Sequence, residues 1–548
     1  CIKQTGADGT APLLPLDAAM VGVLREVLAT AMDEEAAGGP RERGRMLGLH
    51  VRGVSVEVRL RVACIELLCA AMVYEGLKAP EHTELRNKMI AAFFRCLTVK
   101  SQHVVDVARD ALAKVVSEQK LQKELLQSSL RPILLNLADY RKLSVPLLHG
   151  LARLLDLLSN FFNLTLGEKL LEHLKWWTEP EKIANAKSFK AGDEIKIPCA
   201  ILSLFHLLPR APEKFLEKLV HVTMELEKSL PGSTREGRHW SPFREKLVPY
   251  MNRHAPEAVV YFLEKIKLGD PGHFKLLRSL VKCAEGTELR NELANSTAAL
   301  VATTFDAKFT VANPALATQT RLQEAQLRFQ GIVLVHTLVK RMPAWLPNQP
   351  DVLRKLTDIW LSAERKQRLT SEEQMPLEQI VESKLLIKCF VSYCRHHASE
   401  GTMGSRQVEL LFMMLSIFSE HTLVNYSFLK TFYLVEVAQE YTAEHKAECI
   451  KHLLTFFQTR EVAQDDKVQA LQLLLLPMLA SSFAKGEARA VLSAEAISII
   501  ISRLLGGEML ATYDEALRIE LLKLATLLIE HVPDQLVEHR KELIKFAW

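Results

Sequence analysis

Leucines recur along this chain at steps of three and four residues on more than one helical face at once, most densely between Leu121 and Trp177. Within that stretch Val145, Leu148, Leu151, Leu155, Leu158 and Phe162 form one stripe, and Leu147, Leu154, Leu157 and Phe161 form a second, adjoining one. A helix lying on a globular core needs a single stripe. Two stripes predict a helix packed between two neighbours, which is what stacked helix pairs require. Ser144 is placed to cap this helix, and Pro146 falls in its first turn, where a missing N–H costs nothing.

The same reading extends over the whole chain. A first helix runs from Asp17 to about Ala36, followed by GGPRERGRMLG, a Gly/Pro/Arg stretch read as an exposed loop. Helices are then expected over 55–75, 82–98, 101–118, 120–138, 144–163, 166–177, 197–208 and 211–230. The next are 241–268 with a break near Pro256 and 271–306 with a break near Gly286. After Asn313 and Pro314 a long helix reaches Arg341, and further helices cover 350–369, 376–397, 406–420, 424–441, 443–459, 465–484, 491–506, 512–531 and 534–547. Pro209, Pro212, Pro231, Pro271, Pro343, Pro347 and Pro350, with Gly232, Gly272, Gly506 and Gly507, supply the punctuation. No alternating strand pattern runs for a useful length. A helix pair with its turns takes about 40–47 residues in HEAT and armadillo units, and the spacing here is close to that but irregular. The expected fold is therefore all-α, an irregular HEAT-like α-solenoid of stacked antiparallel helix pairs, with separate helical bundles as the plainer alternative. Its expected parts are an N-terminal helical segment at 1–36, a Gly/Arg-rich loop at 37–54, and repeats over 55–310 that continue over 311–548.

Composition agrees: 548 residues, 48% hydrophobic and 24% charged, are globular but too many for one core. A net charge of +4 argues against a dedicated nucleic-acid binder, although a local basic patch can hide in a balanced total. Nine cysteines without regular spacing, among them Cys64, Cys69, Cys96, Cys199, Cys283, Cys389 and Cys449 in apolar runs, suggest buried thiols in a reducing compartment, cytosol or nucleus. No apolar run reads as long enough to cross a bilayer, and no signal sequence opens the chain. The start at Cys1 and the stop at Trp548 after LIKF suggest a piece of something longer.

Candidate chemistry is sparse. There is no phosphate-binding glycine loop, HExxH, GxSxG or kinase catalytic loop, so no catalytic or cofactor-binding residue is assigned. The nearest approach to a metal site is CFVSYCRHH, with Cys389, Cys394, His396 and His397. Positions five apart on a helix are rotated by roughly 140°, so the two thiols cannot meet on one ion, and no metal is expected. Cys64 and Cys69 share that spacing without a nearby histidine. The N-x-S/T matches at Asn163, Asn295 and Asn425 carry no meaning without secretion. The loop around Ser233 and Thr234 could take a modification or contact a partner, and Arg41, Arg43, Arg45 and Arg52 could touch nucleic acid or an acidic peptide; solvated loops explain both more simply. Of Trp176 and Trp177, one ring is expected to pack and one to lie at the surface.

Particular strings carry a resemblance. LRPILLNLADYRKLSVPLLHGLARLLDLLSNFFNLTLGEKLLEHL at 130–174 resembles the helical arm of the giant pseudokinases that comprise TRRAP and its fungal counterparts, relatives of the phosphatidylinositol-3-kinase-like kinases. MPAWLPNQPDVLRKLTDIW at 342–360, LRIELLKLATLLIEHVPDQL and the closing KFAW are similar to later parts of that arm. The resemblance implies a nuclear, non-enzymatic scaffold of histone acetyltransferase coactivator complexes of the SAGA and NuA4/TIP60 type. Its implied partners are transcription activators and other subunits, with no small-molecule substrate, cofactor, membrane or sequence-specific nucleic acid. The inactive kinase-like domain of that family is expected outside residues 1–548. The matching strings are packing strings, so the partner-binding residues stay unassigned.

A scaffold follows from the residues as well, since a solenoid offers a long ridge of helix edges on which an acidic amphipathic segment could fold against apolar anchors bordered by Lys or Arg. Two other classes remain open on sequence: the HEAT arm of an active Ser/Thr kinase of the same superfamily, and an importin-like transport receptor.

Overall fold

The computed structural model describes residues 16–32, 56–72, 77, 79–99, 101–118, 131, 135, 137, 139–158, 162–179, 193–229, 241–309, 317–365, 377–421, 424–459, 461–506 and 512–547. Among these residues every regular element is a helix. The expected helix at 120–138 and the loops at 37–54 and 231–240 lie outside them, wholly or for the most part. The chain forms an all-α solenoid with two compact units, residues 1–261 with 283–289 and residues 262–282 with 290–548.

In the first unit α1 (Ala18–Met32), α2 (Val56–Ala71), α3 (Thr83–Cys96) and α4 (Gln102–Glu118) pack so that α2 and α3 each touch both α1 and α4. Then come α5 (Val145–Leu158), α6 (Leu164–Trp177), α7 (Asp193–Leu202), α8 (Pro212–Ser229) and α9 (Pro242–Arg253). Helices two apart in sequence stack, α5 on α7, α7 on α9 and α6 on α8, which layers one helix pair upon the next. Of the two stripes expected of α5, Leu148, Leu151, Leu154 and Leu155 are fully buried and Leu147 and Leu158 nearly so, while Val145 and Leu157 are half-buried and Phe161 lies outside the described residues. Ser144 does cap it, its Oγ accepting the Leu147 N–H at 3.4 Å. Gly150 lets α5 approach its neighbour closely, because a Cβ there would lie 2.7 Å from Thr98 Cγ2.

After α10 (Ala255–Lys267), the helices α11 (Pro271–Lys282), α12 (Thr287–Asn295) and α13 (Thr297–Thr304) occupy the span read as 271–306. Besides the break at Gly286 it has a second one at Ser296, whose ψ of 32° leaves the helical range. The break near Pro256 falls at His254 (φ −121°, ψ 40°), two residues before the proline. In the second unit α14 (Ala317–Arg341) packs against α11 and α13 and against α16 (Leu377–Ser399), while α15 (Pro350–Leu361) also packs on α16. α16 packs in turn on α17 (Ser405–Leu415), and α17 on α18 (Ala443–Thr459). α19 (Gln464–Ala484) and α20 (Glu515–His531) follow, and a last short helix, α21 (Arg540–Ala547), comes after them.

The span read as 534–547 opens as a 3-10 helix over Pro533–His539, and three further stretches of the expected helices are widened. Phe432–Glu440, Leu471–Leu475 and Ile500–Leu504 are π-helical. For the second the cause is local: Pro477 follows within α19, its ring would clash with a carbonyl one turn back, and a wider turn makes room. The expectation that no run could span a bilayer is corrected here, since α19 is long and apolar enough by composition. More than half of its apolar window is buried inside the fold, as in the core helix of a packed protein. Leu471, Leu474, Leu475, Met478 and Leu479 are fully buried.

Helix ends are tied across the stack by long side chains. Arg153 Nη1 donates to Leu97 O at 3.0 Å, Arg253 Nη1 to Leu208 O at 2.7 Å, Arg341 Nη2 to Lys282 O at 2.5 Å, and Trp345 Nε1 to Ala294 O at 3.1 Å. Each satisfies a carbonyl at or just beyond a helix end, with positive charge at the negative end of the dipole in the arginine cases.

Candidate interaction surface

The residues singled out for chemistry sit in packing roles. CFVSYCRHH lies on α16, with Cys389 and Cys394 fully buried. Burial pushes both thiols up, Cys389 to about 12, which is the opposite of what a thiolate ligand needs. His396 and His397 are half-buried near the helix end, and His397 Nδ1 lies 2.8 Å from Thr402 Oγ1. Among the described residues no three His, Cys, Asp or Glu side chains converge on a metal position. Cys64 on α2 is buried and its thiol is likewise pushed up by desolvation.

The tryptophan pair is divided as the sequence suggests. Trp177 is 1% exposed and Trp176 half-buried, the rings edge-to-face at 5.1 Å. Asn163 and Asn425 spend their side chains on turns at helix starts: Asn163 Oδ1 accepts from Thr165 Oγ1, and Asn425 Oδ1 from the Ser427 N–H at 2.8 Å. Ser233, Thr234, Arg41, Arg43, Arg45 and Arg52 lie outside the described residues.

One buried polar knot escaped the sequence reading. Arg365, 5% exposed, places Nη2 2.7 Å from Glu420 Oε2, and its guanidinium lies 4.0 Å over the Trp360 ring. Beside it His421 Nδ1 is 2.8 Å from the Tyr426 hydroxyl. Burial, reinforced by Arg365, holds His421 down to about 4, and burial raises Tyr426 to about 12. The knot is a core fastening, since its members face one another instead of a cavity. The residues are scattered from 360 to 426, so no local motif announces it.

What remains open to solvent is groove and edge. A cleft of about 500 Å³ is bordered by Phe483, Glu487, His531 and Asp534, and one of about 320 Å³ by Arg59, Glu66 and His103. Both are open between helix edges, unlike the enclosed pockets that hold small substrates. Apolar side chains stand on the outer edges: Ile519, Leu522 and Ile529 on α20, and Leu377 and Val381 on α16.

Cys64, Cys96, Cys389, Cys394 and Cys449 are buried as expected, whereas Cys69, Cys199 and Cys283 are only half-buried. Layered helix pairs with open edges define a helical-repeat scaffold of the HEAT class. The chain belongs to the family of the Tra1 HEAT repeat ring region, whose profile matches residues 7–548. It is 32% identical, over its full length, to the "Probable transcription-associated protein 1" of Dictyostelium discoideum. Over 90% of its length it is 27% identical to the human "Transformation/transcription domain-associated protein". It is also 27% identical over 90% of its length to the "SAGA complex/NuA4 acetyltransferase complex subunit TRA1" of Saccharomyces cerevisiae. The chain spans 11% of the Dictyostelium protein and 13% of the human and yeast ones.

Proposed function

We propose that this chain is the repeat arm of a non-catalytic scaffold subunit of SAGA- and NuA4-type histone acetyltransferase complexes, acting in the nucleus and docking transcription activators and fellow subunits. The observation that carries the proposal is the family match over 7–548, joined to relatives named as subunits of those complexes. The architecture supports it physically. Stacked pairs such as α5 to α9 put their energy into a continuous core and leave helix edges free for many shallow contacts. The inactive kinase-like domain of the parent protein belongs to this proposal too, as does a continuous run of repeats through 55–310 and 311–548.

The test is to tag the parent protein at its own locus, purify it from nuclear extract and assay the eluate for histone acetyltransferase activity. Co-purifying activity without phosphotransfer from the parent chain is the expected outcome. Protein kinase activity of the chain, or a transport GTPase in place of acetyltransferase subunits, would sink the reading.

A further inference from the structure

A helix leaves its last carbonyls without partners, and in a stack those ends lie against neighbouring helices where water reaches them poorly. Long cationic side chains from other helices satisfy several of them here. Arg61 Nε donates to Ala31 O at 2.8 Å, at the end of α1. Arg153 Nη1 donates to Leu97 O at 3.0 Å, the C-cap of α3, and its Nη2 to Gln102 Oε1 at 3.2 Å. Arg253 Nη1 donates to His206 O and to Leu208 O, the latter at 2.7 Å, where the short 3-10 turn after α7 stops. In the second unit Arg341 and Lys485 reach Lys282 O at 2.5 Å and Gln439 O at 2.8 Å.

Two properties of this set go beyond ordinary capping. The first is direction. The five donors stand 30, 56, 45, 59 and 46 residues after the carbonyls they reach, so each helix end is completed by a later part of the chain. Neutral amides also run the other way: Asn252 Nδ2 donates forward to Glu285 O at 2.7 Å, and Gln464 Nε2 forward to Thr512 O at 3.1 Å. The second property is burial. Ala31 and Leu97 are fully buried and Leu208 is 2% exposed, whereas Lys282 and Gln439 are exposed, so water can take the cation's place only at the last two.

Arg153 and Arg253 are themselves half-buried, with no ion pair among the described residues; Asp106 is the one carboxylate that bears on Arg153. When such a bond opens, the guanidinium can turn toward water on its long stem, but the buried carbonyl stays unpaired. The two sides of the bond are therefore unequal, and the penalty falls on the earlier helix.

We propose that Arg153 and Arg253 are one-way couplers of the stack, each holding closed the C-terminal end of an earlier helix while its own repeat does not depend on the contact. The end of α3 gains its last partner only once residue 153 is in place, and the turn at 205–207 only once residue 253 is. In the finished arm, whatever draws Arg253 off its carbonyls is felt one repeat toward the N-terminus. This coupling belongs to the arm itself and stands independently of what the arm docks.

The experiment is hydrogen exchange read by mass spectrometry on the parent protein purified in its complex, as wild type, Arg153→Met, Arg153→Lys, Arg253→Met and Arg341→Met. Methionine keeps an apolar stem and removes the donors, which separates lost packing from the lost cap. Expected in Arg153→Met is exchange about 10-fold faster over residues 91–98 at the end of α3, with α6 within about 2-fold of wild type. Arg253→Met should act in the same way on 200–208 and leave α10 unchanged. Arg341→Met should move 276–282 by less than about 3-fold, because the Lys282 carbonyl is open to water. Arg153→Lys, which keeps the charge and a donor, should recover part of the loss. Wild-type exchange over 91–98 in Arg153→Met overturns the proposal. So does a loosening shared equally by α3 and α6, which would mark a general loss of stability. If Arg153→Met is not recovered in the complex, Arg153→Lys and Arg253→Met decide by the same comparison.

Discussion

The α5–α6 pair of the first unit and the α11–α14–α16 row of the second solve the same packing problem with different surfaces. α5 buries two leucine stripes and leaves little outside that is distinctive. α14 is enclosed almost as fully along its second half, yet it and its neighbours expose a run of cations, Lys275, Arg278, Lys282, Lys340, Arg341, Lys388 and Arg395. The contrast teaches that the strings which make the family recognisable serve the core, whereas the surface with the most chemical character lies on helices whose local sequence looks ordinary.

The largest effect that would break this contrast lies in α5. Replacing Leu151 or Leu155 by Ala should cost about 2–5 kcal/mol, because the lost contacts and the residual cavity add. Hydrogen exchange should show the loosening confined to neighbouring repeats; uniform loosening along the chain would contradict stacked repeats that couple to their neighbours.

A comparable effect is expected from pH in the second unit. His336 and His421 are held down to about 4, chiefly by burial, while the unfolded chain titrates near 6.5. Between roughly pH 6.5 and 4 the unfolded chain therefore takes up protons that the folded one refuses. Stability contributed by each neutral ring falls as pH drops through that window, by about 3 kcal/mol per group at most, and levels off below it. Exchange protection of α14 measured at pH 7, 5.5 and 4 checks this, and His336→Gln should remove its own share of the dependence.

Third comes Gly331, where a Cβ would lie 2.6 Å from Thr304 Oγ1 and 2.7 Å from Thr304 Cβ. Thr304 is buried and donates to Leu300 O at 2.7 Å, so it cannot swing aside freely. Gly331→Ala should cost about 1–3 kcal/mol by denaturant titration of the second unit's signal, without touching the exposed cations.

The smallest stability effect should come from the exposed cations of the α11–α14–α16 row. Arg278→Ser and Lys388→Ser are expected to stay within about 0.5 kcal/mol of wild type by the same titration. A large destabilisation by either would mean that the cations hold the row together, and would erase the separation between the two regions.

Much of the fold was legible because its signals are local. Ser144, Pro146 and the two leucine stripes lie within one helix length, and Ala443–Thr459 agrees with the expected span at both ends. The π stretches were not legible, since Phe432–Glu440 has the apolar spacing of an ordinary helix, and the segment it packs on, α19, lies farther along the chain. The run of cations was hidden for a different reason. Arg278, Lys340 and Lys388 are some fifty to sixty residues apart in sequence, and the overall charge balance conceals them. The usable signal was the lack of Asp and Glu over 331–341 and 383–399, which a count of acids per helix would have shown.

The three π-helical stretches have a bearing on how such an arm changes over generations. A single residue inserted into an α-helix rotates every later position by about 100°, which would turn a buried stripe toward water. A π turn absorbs the extra residue within one coil and restores the phase of the helix beyond it. Phe432–Glu440, Leu471–Leu475 and Ile500–Leu504 thus read as sites where the lineage can gain or lose a residue while the rest of the stack keeps its register.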